Sequence, residues 1–382
     1  MSETLQDLPL PEGARSRFID NGNGLVMHVI EAGEEAPETP CILLLHGFPE
    51  LAYSWRKVIG PLADAGYHVI APDQRGYGRT RGGNAEFNTD LDEFTFPNLV
   101  TDVLGLVFAL GHRRVAAVVG HDFGSLVAAW CAVIRPDVFG SVVMMSAPFA
   151  GPPRFPFDDA SSSSMADAMN ALASLEPPRQ HYQRYFAEPQ ANADMWRPPQ
   201  GIADFLRAYF HVKSADWSGN QPHPLAAPVA EELALLPAYY VMEAGKTMPE
   251  TVADHMPSAA DTASCAWLGN ADLEVYASEY ARTGFQGGLN WYRASNDAGQ
   301  IASLRVWSGR TIDVPSCFIA GSSDWGYYQR PGDFDAMRQR VCTNFRAAHL
   351  IEGAGHWVQQ EQPSTVVSRI LRFLRQDAPP GF

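Results

Sequence analysis

The stretch that most constrains this chain is Val115 to Cys131, which reads VAAVVGHDFGSLVAAWC. Val115 to Val119 is a short, β-branched apolar run bounded by Gly120, the pattern of a buried strand. From Leu126 onward the residues are apolar nearly all round, which predicts a buried helix ending near Arg135-Pro136. Between the two lies Gly120-His121-Asp122-Phe123-Gly124, with the spacing of a nucleophile elbow. A strand that turns sharply into a helix strains its apex residue and crowds the positions two residues to either side. Glycine at both of those positions relieves the crowding and lets the apex side chain stand above the sheet. The apex here is Asp122, where the serine version of the motif has Ser. A carboxylate at a helix N-terminus is a competent nucleophile. It is equally a common helix cap, and the motif alone leaves both roles open.

The flanking chain shows what this elbow belongs to. Arg15 to Ile19 and Leu25 to Glu31 predict two strands joined at Asn21-Gly22-Asn23-Gly24, a hairpin turn. Strands are expected at Cys41 to Leu45, Tyr67 to Ala71 and Ser141 to Met145, and helices at Tyr53 to Ala65 and Asn98 to Leu110. Such alternation implies an α/β architecture with a mostly parallel central sheet and helices on both faces. It breaks after Met145. Residues 148–304 are rich in aromatics and repeatedly interrupted by proline, with helical patches at Asp204 to Phe210 and Asp272 to Arg282. They are expected to form a large helical lid inserted into a core of residues 1–147 and 305–382. The sheet pattern returns with strands at Cys317 to Ala320 and His349 to Ile351 and helices at Pro331 to Arg340 and Ser364 to Arg375.

Composition narrows the function. A net charge of -15 argues against nucleic acid or an anionic membrane as partner. No apolar run is long enough to cross a bilayer, and no signal peptide is evident. The 5 cysteines are scattered, which suits a reducing, cytoplasmic setting. With no HExxH, no Cys/His cluster and no phosphate loop, neither a metal nor a cofactor is expected.

In an open parallel sheet, reactive groups collect where strands end. His46-Gly47-Phe48-Pro49, Asp122, Asp324 and His356 all follow predicted strands. Their order is nucleophile, acid, histidine, that of the α/β-hydrolases. Over essentially its whole length the chain resembles the epoxide hydrolases of that fold. The matching stretches are LLLHGFPE, APDQRGYG, VVGHDFGS, AGSSDW and GAGHWVQQEQP, together with HYQRYFAEP and GGLNWYR in the lid.

The resemblance implies conversion of an epoxide to a vicinal diol, with Asp122 as the nucleophile that forms an alkyl ester. Tyr182 and Tyr292 would hold the epoxide oxygen. His356, oriented by Asp324, would activate the water that cleaves the ester. Backbone N–H groups of Phe48 and Phe123 would form an oxyanion hole, and Phe48, Pro49, Phe123 and Trp357 would contact the substrate. Tyr185 is a near rival to Tyr182, on the same face if that segment is helical. The partners expected are a small hydrophobic epoxide and water, with homodimerisation left open. A dehalogenase uses the same Asp/His/Asp set, but Phe123 offers no indole N–H for a halide. A catalytically idle binding protein on this fold is the alternative from another class.

Overall fold

The computed structural model describes residues 5–36, 38–155 and 165–377. Part of the expected lid, residues 156–164, therefore lies outside the described residues. The main sheet is built from β1 (Ala14–Asp20), β2 (Val26–Ala32), β3 (Cys41–Leu45), β4 (His68–Pro72), β5 (Ala117–His121) and β6 (Val142–Met145). After a two-stranded ribbon of β7 (Arg179–His181) and β8 (Val241–Glu243), it is completed by β9 (Ser316–Gly321) and β10 (Phe345–Ile351). The spatial order is β1-β2-β4-β3-β5-β6-β9-β10. The pairings β1·β2 and β2·β4 are antiparallel, and all others in the main sheet are parallel.

Sequence pattern accounts for this order. β3, β4, β5 and β6 are buried along their whole length, as expected for strands covered on both faces. β1 alternates between partly buried and exposed residues, as an edge strand does. The carboxyl ends of β3, β5, β6, β9 and β10 lie side by side. The loops that carry His46, Asp122, Ser146, Asp324 and His356 are thereby gathered along one edge.

Some expected boundaries change. The helix predicted from Leu126 begins at Phe123, directly after the elbow residue, and ends at Ile134. The helix predicted over Tyr53 to Ala65 is instead a 3-10 turn, Ala52–Trp55, followed by a short helix, Ile59–Asp64. Pro61 explains the break: it has no N–H to give to the preceding turn and fits only near a helix start. The expected helix at Pro331 to Arg340 is an α-turn, Asp333–Ala336, that widens into a π-turn, Met337–Val341. Between β6 and β9 the chain forms helices and the β7·β8 ribbon. Among the described residues no helix is long and apolar enough to cross a membrane.

Candidate active site

Asp122 sits at φ 53°, ψ -120°, a backbone conformation that costs a non-glycine residue roughly 1–3 kcal/mol. The surroundings enforce it. A side chain at position 120 would meet the Gly124 carbonyl oxygen at 2.0 Å, and one at position 124 would meet the Leu45 carbonyl oxygen at 2.4 Å. The elbow therefore closes only with glycine at both places. Ser146, at the end of the neighbouring β6, is also left-handed, with φ 64°.

The Asp122 carboxylate is held from two directions. Its Oδ1 accepts the Phe48 N–H at 3.0 Å. Its Oδ2 lies 3.3 Å from Nε2 of His356. The other ring nitrogen of His356, Nδ1, is 3.0 Å from Oδ1 of Asp324, which also accepts the Gly326 N–H at 2.6 Å. Burial acts to raise the Asp122 carboxyl. The hydrogen bond and charge of His356, with the charges of Lys213 and His121, outweigh burial and hold it well below the usual carboxylate range. Asp324 is lowered in the same way: burial opposes its charge, and His356 and the Gly326 amide prevail.

Beside Asp122 lies a cavity of about 400 Å³. Phe96, Phe123, Leu126, Trp130 and Phe149 give it an apolar wall, and Gln183, Gln329 and Arg330 a polar one. Tyr182 and Tyr292 both line it, with ring centroids 5.9 Å apart. The Tyr182 hydroxyl donates to Oε1 of Gln329 at 3.3 Å and accepts from Nε2 of Gln183 at 3.2 Å. Burial, reinforced by the Asp122 charge, pushes both phenols above their ordinary range, so both keep their protons.

Not every predicted residue reaches this cavity. Tyr185 turns away and donates to Asp194 at 3.0 Å. Trp357 is fully buried; its Nε1 donates to the Phe210 carbonyl at 2.8 Å and its ring packs on Phe210. Pro49 is not part of the cavity lining, and the Phe48 ring stands behind Tyr292 at 5.6 Å between centroids. Trp357, Pro49 and the Phe48 ring thus stand outside the cavity lining. Phe123 does line the cavity.

The sequence profile described as the alpha/beta hydrolase fold matches residues 40–190. Epoxide hydrolase A of Mycobacterium tuberculosis (strain ATCC 25618 / H37Rv) is 34% identical over 363 residues, which cover 95% of this chain and 98% of that protein. The chain belongs to the epoxide hydrolase family. Epoxide hydrolase 2 of Siraitia grosvenorii is 31% identical over 359 residues, 93% of this chain and 96% of that relative. Among solved structures, an epoxide hydrolase from an endophytic Streptomyces superposes with a TM-score of 0.74 at 30% identity, covering 96% of this chain and 98% of that one. Epoxide hydrolase A from Mycobacterium thermoresistibile gives 0.73 at 31% identity, with 95% and 98% covered.

Beside the site of this member of the epoxide hydrolase family stand His121, Glu50 and Lys213. Nδ1 of His121 is 2.6 Å from Glu50, and its Nε2 is 2.7 Å from the His356 carbonyl oxygen. Both nitrogens thus face oxygen atoms, and the buried Glu50 carboxyl beside Nδ1 favours the charged form of the ring. Burial opposes that charge and Glu50 restores it, leaving His121 raised. Lys213, also buried, points its ammonium at the rings of Tyr240 at 4.8 Å and Tyr209 at 5.2 Å. Burial prevails and lowers this ammonium, against the opposing pull of Asp122, Asp324 and Glu50. Glu50 stands in the quoted LLLHGFPE stretch, but nothing local marks it as a partner of His121. Lys213 carries no motif signal at all.

Proposed function

We propose that the protein hydrolyses epoxides to vicinal diols through an ester on Asp122, with residues 148–304 as the lid that presents the substrate. The observation that carries this reading is convergence. Asp122 lines one cavity with two lid phenols and also lies within reach of a histidine backed by a second carboxylate.

The epoxide oxygen takes hydrogen bonds from Tyr182 and Tyr292. A carboxylate oxygen of Asp122 attacks a ring carbon from the opposite side. The carbon–oxygen bond of the ring breaks, and the departing oxygen receives a proton from a phenol. An alkyl ester of Asp122 results. His356 then takes a proton from water, and the hydroxide formed attacks the ester carbonyl. The tetrahedral oxyanion is stabilised by the N–H groups of Phe48 and Phe123, and Asp324 stabilises the imidazolium. Collapse expels the diol as an alkoxide that takes the proton of the new carboxyl, one water oxygen stays on Asp122 as its carboxylate re-forms, and the imidazolium proton returns through water to the phenolate. The scheme needs no metal or cofactor. The apolar wall fits a small hydrophobic epoxide, and the buried Cys41 and Cys131, neither in a disulfide, suit a cytoplasmic enzyme.

The test is turnover of styrene oxide in heavy-oxygen water, with mass spectrometry of the diol and of the elbow peptide. Diol formation with heavy oxygen accumulating on Asp122 is expected, and Asp122→Asn should remove it. Diol formation with an unlabelled Asp122 would refute the ester route.

A further inference from the structure

The loop that carries His356 is held at three consecutive amides. The Gly355 N–H donates to Oε2 of Glu361 at 2.9 Å, the His356 N–H to the Lys213 carbonyl at 2.8 Å, and the Trp357 N–H to Oε1 of Glu361 at 3.0 Å. The two oxygens of one carboxylate thus grip the residues on either side of the histidine. Oε2 of Glu361 also accepts the Ala215 N–H at 2.8 Å, from the segment that follows the lid helix Ile202–Lys213. Contact between the two segments is tight: a side chain at position 355 would meet the backbone of Ser214 and Ala215 at 2.5 and 2.6 Å.

We infer that Glu361 is a positioning residue for the water-attack step, a carboxylate clamp that fixes the His356 loop against the lid segment 213–215. The inference rests on the Asp122 ester reading. Its physical basis is three amide hydrogen bonds converging on one buried side chain, whose carboxyl burial pushes up to about 8 against the pull of those amides, and the strictness of the step they serve. Opening the epoxide needs Asp122 and the phenols. Hydrolysing the ester needs His356 within reach of a water and of the ester at once. Displacement of the histidine loop therefore penalises the second step and spares the first. Glu361→Gln keeps the shape, but turns an N–H₂ toward one of the three amides.

When only ester hydrolysis slows, kcat and KM fall together and kcat/KM is retained. Glu361→Gln should lower kcat by about 10- to 100-fold. KM should fall in proportion, with kcat/KM within about twofold of wild type. Rapid-quench mass spectrometry should find the Asp122 ester filling at the wild-type rate and then persisting. Unchanged kcat, or a slowed ester-forming burst with kcat/KM lost, overturns the clamp. A wild-type protein that forms no ester overturns the underlying scheme, a result distinguishable from the other two. Glu361→Asp, which keeps the carboxyl on a shorter arm, should lose less in kcat and KM, again in parallel. If the Gln variant does not fold, the Asp variant decides alone, and unchanged kcat there overturns the clamp.

Discussion

The carboxyl edge of the sheet and the proposed lid hold their candidate reactive groups by different means. At the sheet edge, His356 is fixed through its backbone as well as its ring. Its N–H is taken by Lys213, its carbonyl by His121 at 2.7 Å and Ser146 at 3.2 Å, and its Nδ1 by Asp324. In the lid, Tyr182 is held by two amide side chains at 3.2 and 3.3 Å and by ring packing on Phe186 and Tyr240 at 5.3 Å. The contrast follows from the chemistry each part is proposed to perform. A base that delivers water to one ester carbon needs a single position. Phenols that meet epoxides of different shape tolerate a softer mount, because they bind an oxygen and not a trajectory. The buried pair of His121 and Glu50 lies under the histidine loop, while the cavity walls carry rings and amides together with Asp122, Arg330 and Asp333.

The largest effect that would sharpen this contrast is expected from His356→Gln. It should leave ester formation intact and lower kcat by roughly 10³-fold or more. The elbow peptide should then carry one substrate per chain, and a variant that turns over without accumulating ester would break the division of labour. Next come the phenols. Tyr182→Phe or Tyr292→Phe alone should slow single-turnover ester formation by about 10- to 100-fold, since each leaves the other donor in place. The double variant should cost more than either, and Tyr185→Phe should stay within about twofold of wild type, because its hydroxyl serves Asp194. A large loss in Tyr185→Phe would reassign the lid donors. The smallest expected effect is one of pH. Burial raises both lid phenols, so the proton stays on as pH rises through the range where a free phenol loses it, near about 10. The ester-forming rate should accordingly be flat from about pH 7 to about 10. A decline centred below that range would show that the phenols are wetter than the cavity implies.

Legibility in the sequence followed the range of the interactions involved. The strands β3 to β6 and the elbow were readable because each is set within a few residues, by β-branched runs and by glycines that two close backbones require. The order Asp122, Asp324, His356 was readable because strand ends impose it. Trp357 shows the limit of that reasoning. Its place next to His356 does not say where its ring goes, because successive side chains leave the backbone in different directions, and this one packs against Phe210. Tyr182 and Tyr185 could not be separated either, since both are buried on one short helix. Only the position of Asp194, on the helix Ala191–Trp196, removes Tyr185 from the cavity.

The sequence by itself determined the alternation of strands and helices, the sharp turn at Asp122, and which loops end at the carboxyl edge. These depend on local sterics and on the burial of apolar runs. The tertiary structure alone decided what supports those loops: Glu50 beneath His121, Lys213 among the tyrosine rings, Glu361 across the histidine loop and the lid segment. Glu50 and His121 are 71 residues apart, and Glu361 and Ala215 are 146 apart. A buried charge is stable only when its partner is delivered to it by the packing of the whole chain, so no local pattern announces the pair.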